Sequence, residues 1–202
     1  MVLVTRLEPE EVCEGILAIQ VGEQARSVEL LVLGADGAPD RVERAAALAM
    51  AAPGAAWVTV PTDQREARLA DLRNAGLEME CDPEWLMTVD LTTRPLTELH
   101  SRHVVESEQR ADVVVAQVMI NGVVLASGRM AVAGSDAVAD RIETDPAYRR
   151  LGLGRAVMDA LVADAVGMGA TRGVLAASSD GLALYQSLGW TAVTDLVIAR
   201  SL

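Results

Sequence analysis

Short β-branched runs bounded by turn signals alternate with helical patterns along this chain, and that order predicts an α/β (α+β) protein. Three stretches carry the prediction. Val113 to Ile120 and Val123 to Val132 are separated by Asn121-Gly122, the dipeptide that best suits a two-residue hairpin between antiparallel strands. Ala137 to Thr144 reads as a strand that leads through a glycine-containing loop into a helix, Arg155 to Met168. The first 95 residues mix strands and helices in a similar order but lack such a loop.

Residues 2 to 7 are expected to form a short strand, and Pro9-Glu10-Glu11 to start a helix running toward Gly22, with proline in its first turn. Val28 to Leu33 is a strand ended by Gly34-Ala35-Asp36-Gly37, and the Ala-rich stretch Arg41 to Ala52 is helical. Ala55 to Val60 is a strand. Thr62 or Asp63 caps a helix to about Ala75, which Gly76 stops. Trp85 to Leu91 is a further strand, and Thr92-Thr93-Arg94-Pro95 marks a boundary.

Beyond the boundary, three antiparallel strands lead to the loop, with Gly134-Ser135 turning into the third. In the following helix Val157, Leu161, Ala165 and Met168 recur at helical spacing, and Met158, Val162 and Val166 widen the stripe into that of a well-buried helix. Arg172 to Ala177 is the next strand. Ser178-Ser179-Asp180 caps a short helix through Leu188. Leu184 and Leu188 there face the core, while Tyr185 stands about 100° further around the axis and points at the cleft beside the loop. Aligning Gly76 with Gly189 sets Leu72 opposite Tyr185 and Leu77 opposite Trp190, so residues 1 to 95 read as a degenerate copy of residues 96 to 202, or as an unrelated α/β half.

Half the residues are apolar, but there is no Phe, and only three Trp and two Tyr, so the core is built from aliphatic side chains. A net charge of −12 argues against nucleic acid and anionic membranes as partners. It favours cationic substrates only weakly, because a solvated acidic surface explains it as well. Cys13 and Cys81 form no metal-ligand pattern and read as free thiols of a reducing compartment. His100 and His103 have one-face helical spacing but no third ligand, so they read as a polar face rather than a metal site. With no signal-peptide pattern and no long apolar segment, the expected location is the cytoplasm.

The loop, Arg149-Arg150-Leu151-Gly152-Leu153-Gly154-Arg155, has the chemistry of an anion site. Its glycines lack the Cβ atoms that would block a phosphate. The helix behind it offers unpaired N–H groups and the positive end of its dipole, and Arg149, Arg150 and Arg155 add three guanidinium groups. A nucleoside-triphosphate loop is excluded because Arg155-Ala156 stands where Lys-Ser or Lys-Thr is needed. A dinucleotide fingerprint is excluded because Val157 occupies the third glycine position.

Arg149, Gly152 and Gly154, preceded by Thr144-Asp145-Pro146-Ala147-Tyr148, resemble the acetyl-CoA loop of the GCN5-related N-acetyltransferase (GNAT) superfamily. Leu184-Tyr185-Gln186-Ser187-Leu188-Gly189-Trp190 resembles that family's late helix-to-strand motif, and the two matches span residues 137 to 198. The resemblance implies a mixed, mostly antiparallel sheet flanked by helices, with acetyl-CoA as co-substrate and no metal. It implies that the backbone of Ile142, Glu143 and Thr144 holds the pantetheine amide and the acyl carbonyl. N–H groups from Arg150 through Leu151, Gly152, Leu153 and Gly154 to Arg155 hold the pyrophosphate. A primary amine attacks directly, with both substrates bound. Tyr185 protonates the departing thiolate, and Glu143 is the candidate base, ahead of Glu106, His100 and His103. Ser178-Ser179-Asp180 departs from relatives that carry Asn there, which puts the pantetheine contacts of that region in doubt. The alternative is a non-catalytic acyl-CoA-binding module. The acceptor, a small molecule or a peptide amine, is left open, as is monomer or homodimer.

Overall fold

The computed structural model describes residues 9–93 and 104–201. In chain order the elements are β1 (Glu10–Cys13), β2 (Ile16–Glu23), β3 (Arg26–Val32), α1 (Asp40–Ala51), β4 (Ala56–Thr62), α2 (Arg65–Asn74), β5 (Glu78–Met79), β6 (Glu84–Asp90), β7 (Val105–Arg110), β8 (Val113–Ile120), β9 (Val123–Ala133), β10 (Asp136–Thr144), α3 (Leu153–Gly167), β11 (Arg172–Ser178), α4 (Ser179–Ser187) and β12 (Thr191–Arg200). The expected strand at residues 2 to 7, His100 and His103 lie outside the described residues. The chain divides into two compact units, residues 1–85 with 194–202 and residues 86–193.

In the first unit the strands run β1-β2-β3-β4-β12, and β5 adds to β12. The β1–β2 and β2–β3 pairs are antiparallel. The β3–β4 pair, joined through α1, is parallel. α1 buries Val42, Ala45, Ala46 and Ala49, one face at i, i+3, i+4 and i+7. Around them lie Ile16, Val32, Val58 and Val60, all fully buried in the same core. The helix expected from Pro9 to Gly22 is instead the β1–β2 hairpin, turning at Gly15 with φ +72°. Ile16 and Ala18 point inward while their neighbours are more exposed, so a period of two overrides the helix-start signal of Pro9-Glu10-Glu11. Neither Thr62 nor Asp63 caps α2: Gln64 is the N-cap, and Thr62 Oγ1 accepts the Gln64 N–H at 2.9 Å in a local turn.

In the second unit the order is β6-β11-β10-β9-β8-β7. The strands from β7 to β10 form antiparallel neighbours, and β10–β11, joined through α3, is parallel. β7 was not legible as a strand, because five of its six residues are exposed and it shows no apolar alternation. α3 buries eight residues, among them Val157, Met158, Leu161 and Ala165, as its broad stripe predicts. It begins at Leu153, two residues earlier than expected, so Gly154 lies inside its first turn.

The two units therefore share one order: antiparallel strands, a crossover helix, a parallel strand and a second helix. Gly76 and Gly189 both take left-handed φ, +85° and +83°. Each closes its helix with the same hydrogen bond, Leu77 N–H to Leu72 C=O at 3.2 Å and Trp190 N–H to Tyr185 C=O at 3.0 Å. Leu72, Tyr185, Leu77 and Trp190 are all buried. The pairing made from the sequence thus aligns residues in the same local geometry.

Glycines test this packing. A Cβ on Gly173 of β11 would meet Trp190 Cη2 at 2.6 Å and Val89 Cγ1 at 2.8 Å, whereas one on Gly167, in the last turn of α3, meets nothing within 4 Å. Gly173→Ala is expected to lower unfolding stability by about 1–3 kcal/mol through overpacking. Gly167→Ala is expected to raise it by about 0.4–1 kcal/mol through a less flexible unfolded chain. Urea melts of the two variants beside the parent check both signs.

Candidate active site

The site begins where β10 and β11 part. Their parallel ladder joins Asp136–Ala139 to Arg172–Leu175 and goes no further. β10 continues along β9, but its register there shifts between Asp140 and Glu143. Arg141 takes φ +51° at this bulge. An extra residue bends a strand and increases its twist, so β10 resumes its pairing with β9 at Glu143 and Thr144 while the side toward β11 carries no ladder beyond Ala139. The in-and-out alternation of a regular strand is interrupted here: Asp140 and Arg141 are both exposed, and Ile142 resumes the inward face.

The chain then turns at Asp145, whose N–H donates to Leu125 C=O at 2.9 Å. Asp145 Oδ1 accepts the Ala147 N–H at 2.9 Å and caps a single 3-10 turn, Pro146–Tyr148. Arg150 has φ +66° and Gly152 φ +84°. A left-handed arginine is strained by about 1–2 kcal/mol relative to its right-handed form. Such strain within a loop is a signature of functional sites. The N–H groups of Gly152, Leu153, Gly154 and Arg155 have no acceptor among the described residues. They surround the positive end of the α3 dipole. Gly154 also sits in close packing, since a Cβ there would lie 3.1 Å from Leu184 Cδ2, tighter than an ordinary contact, and 3.5 Å from Thr144 Oγ1.

The three loop arginines divide. Arg149 Nη1 donates to Asp180 Oδ2 at 3.3 Å. Arg155 Nη2 donates to Ser187 Oγ at 2.9 Å. Arg150 is exposed and has no ion-pair partner among the described residues. The expected cap of α4 is Ser178, whose Oγ accepts the Gly181 N–H at 3.4 Å. Tyr185, expected to point at the cleft beside the loop from a helix held by Leu184 and Leu188, is the buried residue of α4; Leu188 just beyond the helix is buried, and Leu184 is half-buried. Gly181 makes this possible: a Cβ there would stand 2.8 Å from Tyr185 Cε2, so the ring lies back along its own helix. The ring centroid is 6.3 Å from that of Trp190. The Tyr185 hydroxyl has no hydrogen-bond partner among the described residues, and burial, with the Asp140 charge, pushes its pKa up.

Glu143 is exposed, faces away from the inward Ile142 and Thr144, and has no ion-pair partner among the described residues. The register places Glu143 opposite Ser127, Ser127 opposite Gln117 and Gln117 opposite Glu106, one row across four strands. In the neighbouring row Asp140 is held by Arg129, whose Nε donates to its Oδ2 at 2.8 Å. Arg129 and Asp140 were not singled out from the sequence, and Asp180 and Ser187 were noted there only as part of a helix cap and of the late motif, not as partners of the loop arginines. Only the cross-strand register and the meeting of loop and helix bring them into the site. No group of three or more His, Cys, Asp or Glu able to hold a metal occurs among the described residues.

The matching place in the first unit is closed. Asp36 Oδ2 accepts the Asp63 N–H at 2.8 Å and Oδ1 pairs with the Thr62 hydroxyl, tying the loop after β3 to the end of β4. Buried Arg68 donates to Ala35 C=O at 3.1 Å. The start of α1 carries Asp40 and Glu43, charges that oppose an anion.

Comparison with known proteins agrees with this geometry. The sequence pattern of the "Acetyltransferase (GNAT) family" matches residues 77–190, more than half of the chain. The chain belongs to the GNAT acetyltransferase family. Solved structures similar to this GNAT chain include a GCN5-related N-acetyltransferase from Kribbella flavida, at TM-score 0.65 and 15% identity, covering 96% of this chain and 89% of that one. A putative GNAT-family acetyltransferase from Novosphingobium aromaticivorans gives TM-score 0.61 and 14% identity over 92% and 87%. A tandem GNAT protein from the clavulanic acid biosynthesis pathway gives 0.62 and 12% over 92% and 78%. At these identities the likeness is one of fold. No curated protein sequence matches the chain at a significant level. No helix among the described residues is long and apolar enough to cross a membrane.

The raised Tyr185 pKa fixes a sign. The folded protein keeps the Tyr185 proton at a pH where the unfolded chain, near the ordinary value of 10.0, releases it. The stability this contributes is fully present below pH 10 and is lost as pH rises through the folded-state value. A tyrosinate absorbance titration of the parent minus Tyr185→Phe is expected to show this residue ionising above pH 10. The alkaline fall in melting temperature is expected to be shallower in the variant.

Proposed function

We propose that this GNAT chain is an N-acetyltransferase that moves an acetyl group from acetyl-CoA to a primary amine by direct attack, with both substrates bound. The observation that carries the reading is the parting of β10 from β11 next to the N–H groups from Gly152 to Arg155, which have no acceptor among the described residues. The open edge of Ile142 to Thr144 suits an extended amide-bearing chain, which can pair with it as a further strand. The N–H groups from Gly152 to Arg155 suit a diphosphate, and the adjacent exposed Arg150 offers a guanidinium with no ion-pair partner among the described residues. Backbone donors aimed at the thioester oxygen would stabilise the charge that develops there.

The proton steps fall to two side chains. Tyr185 holds its proton firmly at neutral pH, which suits a group that gives it to the departing thiolate. Glu143 is an exposed carboxylate on the strand bordering the opening. It can take the proton of the attacking ammonium through water. Closure of the first unit by Asp36 and Arg68 supports one acyl-CoA site per chain and a degenerate first half. The two titratable groups sit in contrasting surroundings, one buried and one solvated, as an acid and a base require. This arrangement favours the enzyme over a module that only binds acyl-CoA.

Calorimetric titration with acetyl-CoA is expected to give one site per chain, abolished in Gly152→Asp. That variant forces a side chain into a left-handed position and puts a carboxylate where the anion sits. Circular dichroism checks that it still folds. Tyr185→Phe is expected to lower kcat roughly 10²-fold or more with acetyl-CoA affinity retained. Unchanged turnover would remove Tyr185 from the acid role. Tight binding without transfer to any amine in a screen followed by thiol release would leave the binding-module reading in its place.

A further inference from the structure

Two arginines tie the glycine loop to opposite ends of α4. Arg149, just before the loop's left-handed residues, reaches Asp180 in the first turn of α4 at 3.3 Å. Arg155, in the first turn of α3, reaches the last residue of α4: its Nη2 lies 2.9 Å from Ser187 Oγ and 3.3 Å from Ser187 C=O. Ser187 Oγ in turn donates to Leu184 C=O at 2.7 Å, so the second tie enters the backbone of the turn that carries Tyr185. Between the ties, Tyr185 is the buried residue of α4. A helix of nine residues has little stability of its own. Its placement therefore depends on one buried ring and on what holds its ends.

We propose that Arg149 and Arg155 act chiefly as positioning residues. They lock α4, and with it the Tyr185 hydroxyl, onto the glycine loop, while Arg150 is the side-chain cation that meets the phosphates. The assignment rests on the acetyl-CoA reading above and changes the part played by two of the three arginines that sequence alone gives to the anion. A guanidinium carries five N–H donors in a rigid fork. Arg149 can therefore keep Asp180 with one nitrogen while another faces an arriving anion. Phosphate at the loop would then steady the same arginine that steadies α4, so that filling the site and placing the acid become one event. Exposed ion pairs of this kind add little to overall stability. Proton transfer depends steeply on position, so the ties matter for turnover well beyond their weight in folding.

The test uses the full chain with Arg149→Ala, Asp180→Ala, their double variant, Arg155→Ala and Arg150→Ala. Arg149→Ala, Asp180→Ala and Arg155→Ala are each expected to lower kcat on the order of tenfold, with acetyl-CoA Kd within about threefold of the parent. The Arg149→Ala/Asp180→Ala double variant is expected to be no slower than either single variant, because one tie is broken in all three. Arg150→Ala is expected to weaken acetyl-CoA binding roughly tenfold. Amide exchange supplies a readout without substrate. In Arg149→Ala/Arg155→Ala the α4 amides are expected to exchange roughly tenfold faster at unchanged global stability. Parental exchange in α4, or an Arg149→Ala defect confined to Kd, overturns the proposal. Failure of the parent to bind acetyl-CoA would sink the functional reading, and the exchange experiment would still decide whether the arginines hold α4.

Discussion

One extra residue in β10 sets the geometry on which the site depends. The parallel ladder to β11 needs two strands of matching twist, and it holds over Asp136–Ala139. The bulge centred on Arg141 then turns β10 away while β9 still satisfies it through Glu143 and Thr144. This opens a backbone edge between strands that would otherwise be shielded on both sides. The same bend carries the chain into Asp145 and the loop, so the edge that leaves β11 and the first N–H groups of α3, without acceptors among the described residues, lie in sequence on one short segment. The packing behind them is tight enough to hold that bend. A Cβ on Gly128 of β9 would press on Ile142 and come within 3.0 Å of Val157 Cγ1, so sheet and helix meet there with no spare volume.

The first unit shows the same topology resolved differently. Its β3 pairs with β4 over Val28–Leu31 and Ala56–Thr59, and beyond that ladder Asp36 bonds to Thr62 and Asp63. Asp36 has its carboxyl held below the usual range by these hydrogen bonds and by Arg68, against the opposing effect of desolvation. Its charge thus serves to fasten a loop. Arg41, donating to Leu33 C=O at 3.0 Å and paired with Glu14, lies within 3 Å of where Cβ atoms on Gly15 and Gly34 would sit. A guanidinium and two glycines are present there too, but they pack against each other. The contrast separates what the topology provides, a parallel pair beyond a crossover helix, from what a site requires, which is donors left without partners.

Much of the second unit was legible because its signals are local. Asn121-Gly122 dictates a hairpin, and the broad apolar stripe of α3 dictates a buried helix. Gly76 and Gly189, which residue types alone set opposite each other, both take left-handed φ at a helix end. The failures have a common cause as well. The β1–β2 hairpin was hidden because Pro9-Glu10-Glu11 imitates a helix start, while the deciding period of two begins only at Ile16. The bulge leaves no mark in Asp140-Arg141-Ile142, because any of these residues fits a regular strand. It arises from pairing with β9, which is tertiary. Tyr185 was placed by helical angle alone, and that reasoning could not see that Gly181 leaves a groove for its ring. The site's residue types were readable where chemistry is local. Its arginine partners were not, since Asp180 and Ser187 lie 31 and 32 positions from the arginines they meet.

The strain at Arg150 follows from the same geometry. Gly152 takes its left-handed conformation at no steric cost, but Arg150 does not. Glycine at that position would relieve the backbone and remove the one loop guanidinium that is not engaged with α4. Arg149 and Arg155 each have one nitrogen committed to α4, to Asp180 and Ser187, so neither can turn its whole fork to an anion as Arg150 can. An arginine at this position is thus explained by charge rather than by backbone preference. The loop combines conformations that suit glycine with a charge that glycine lacks, and it accepts about 1–2 kcal/mol of strain to have both.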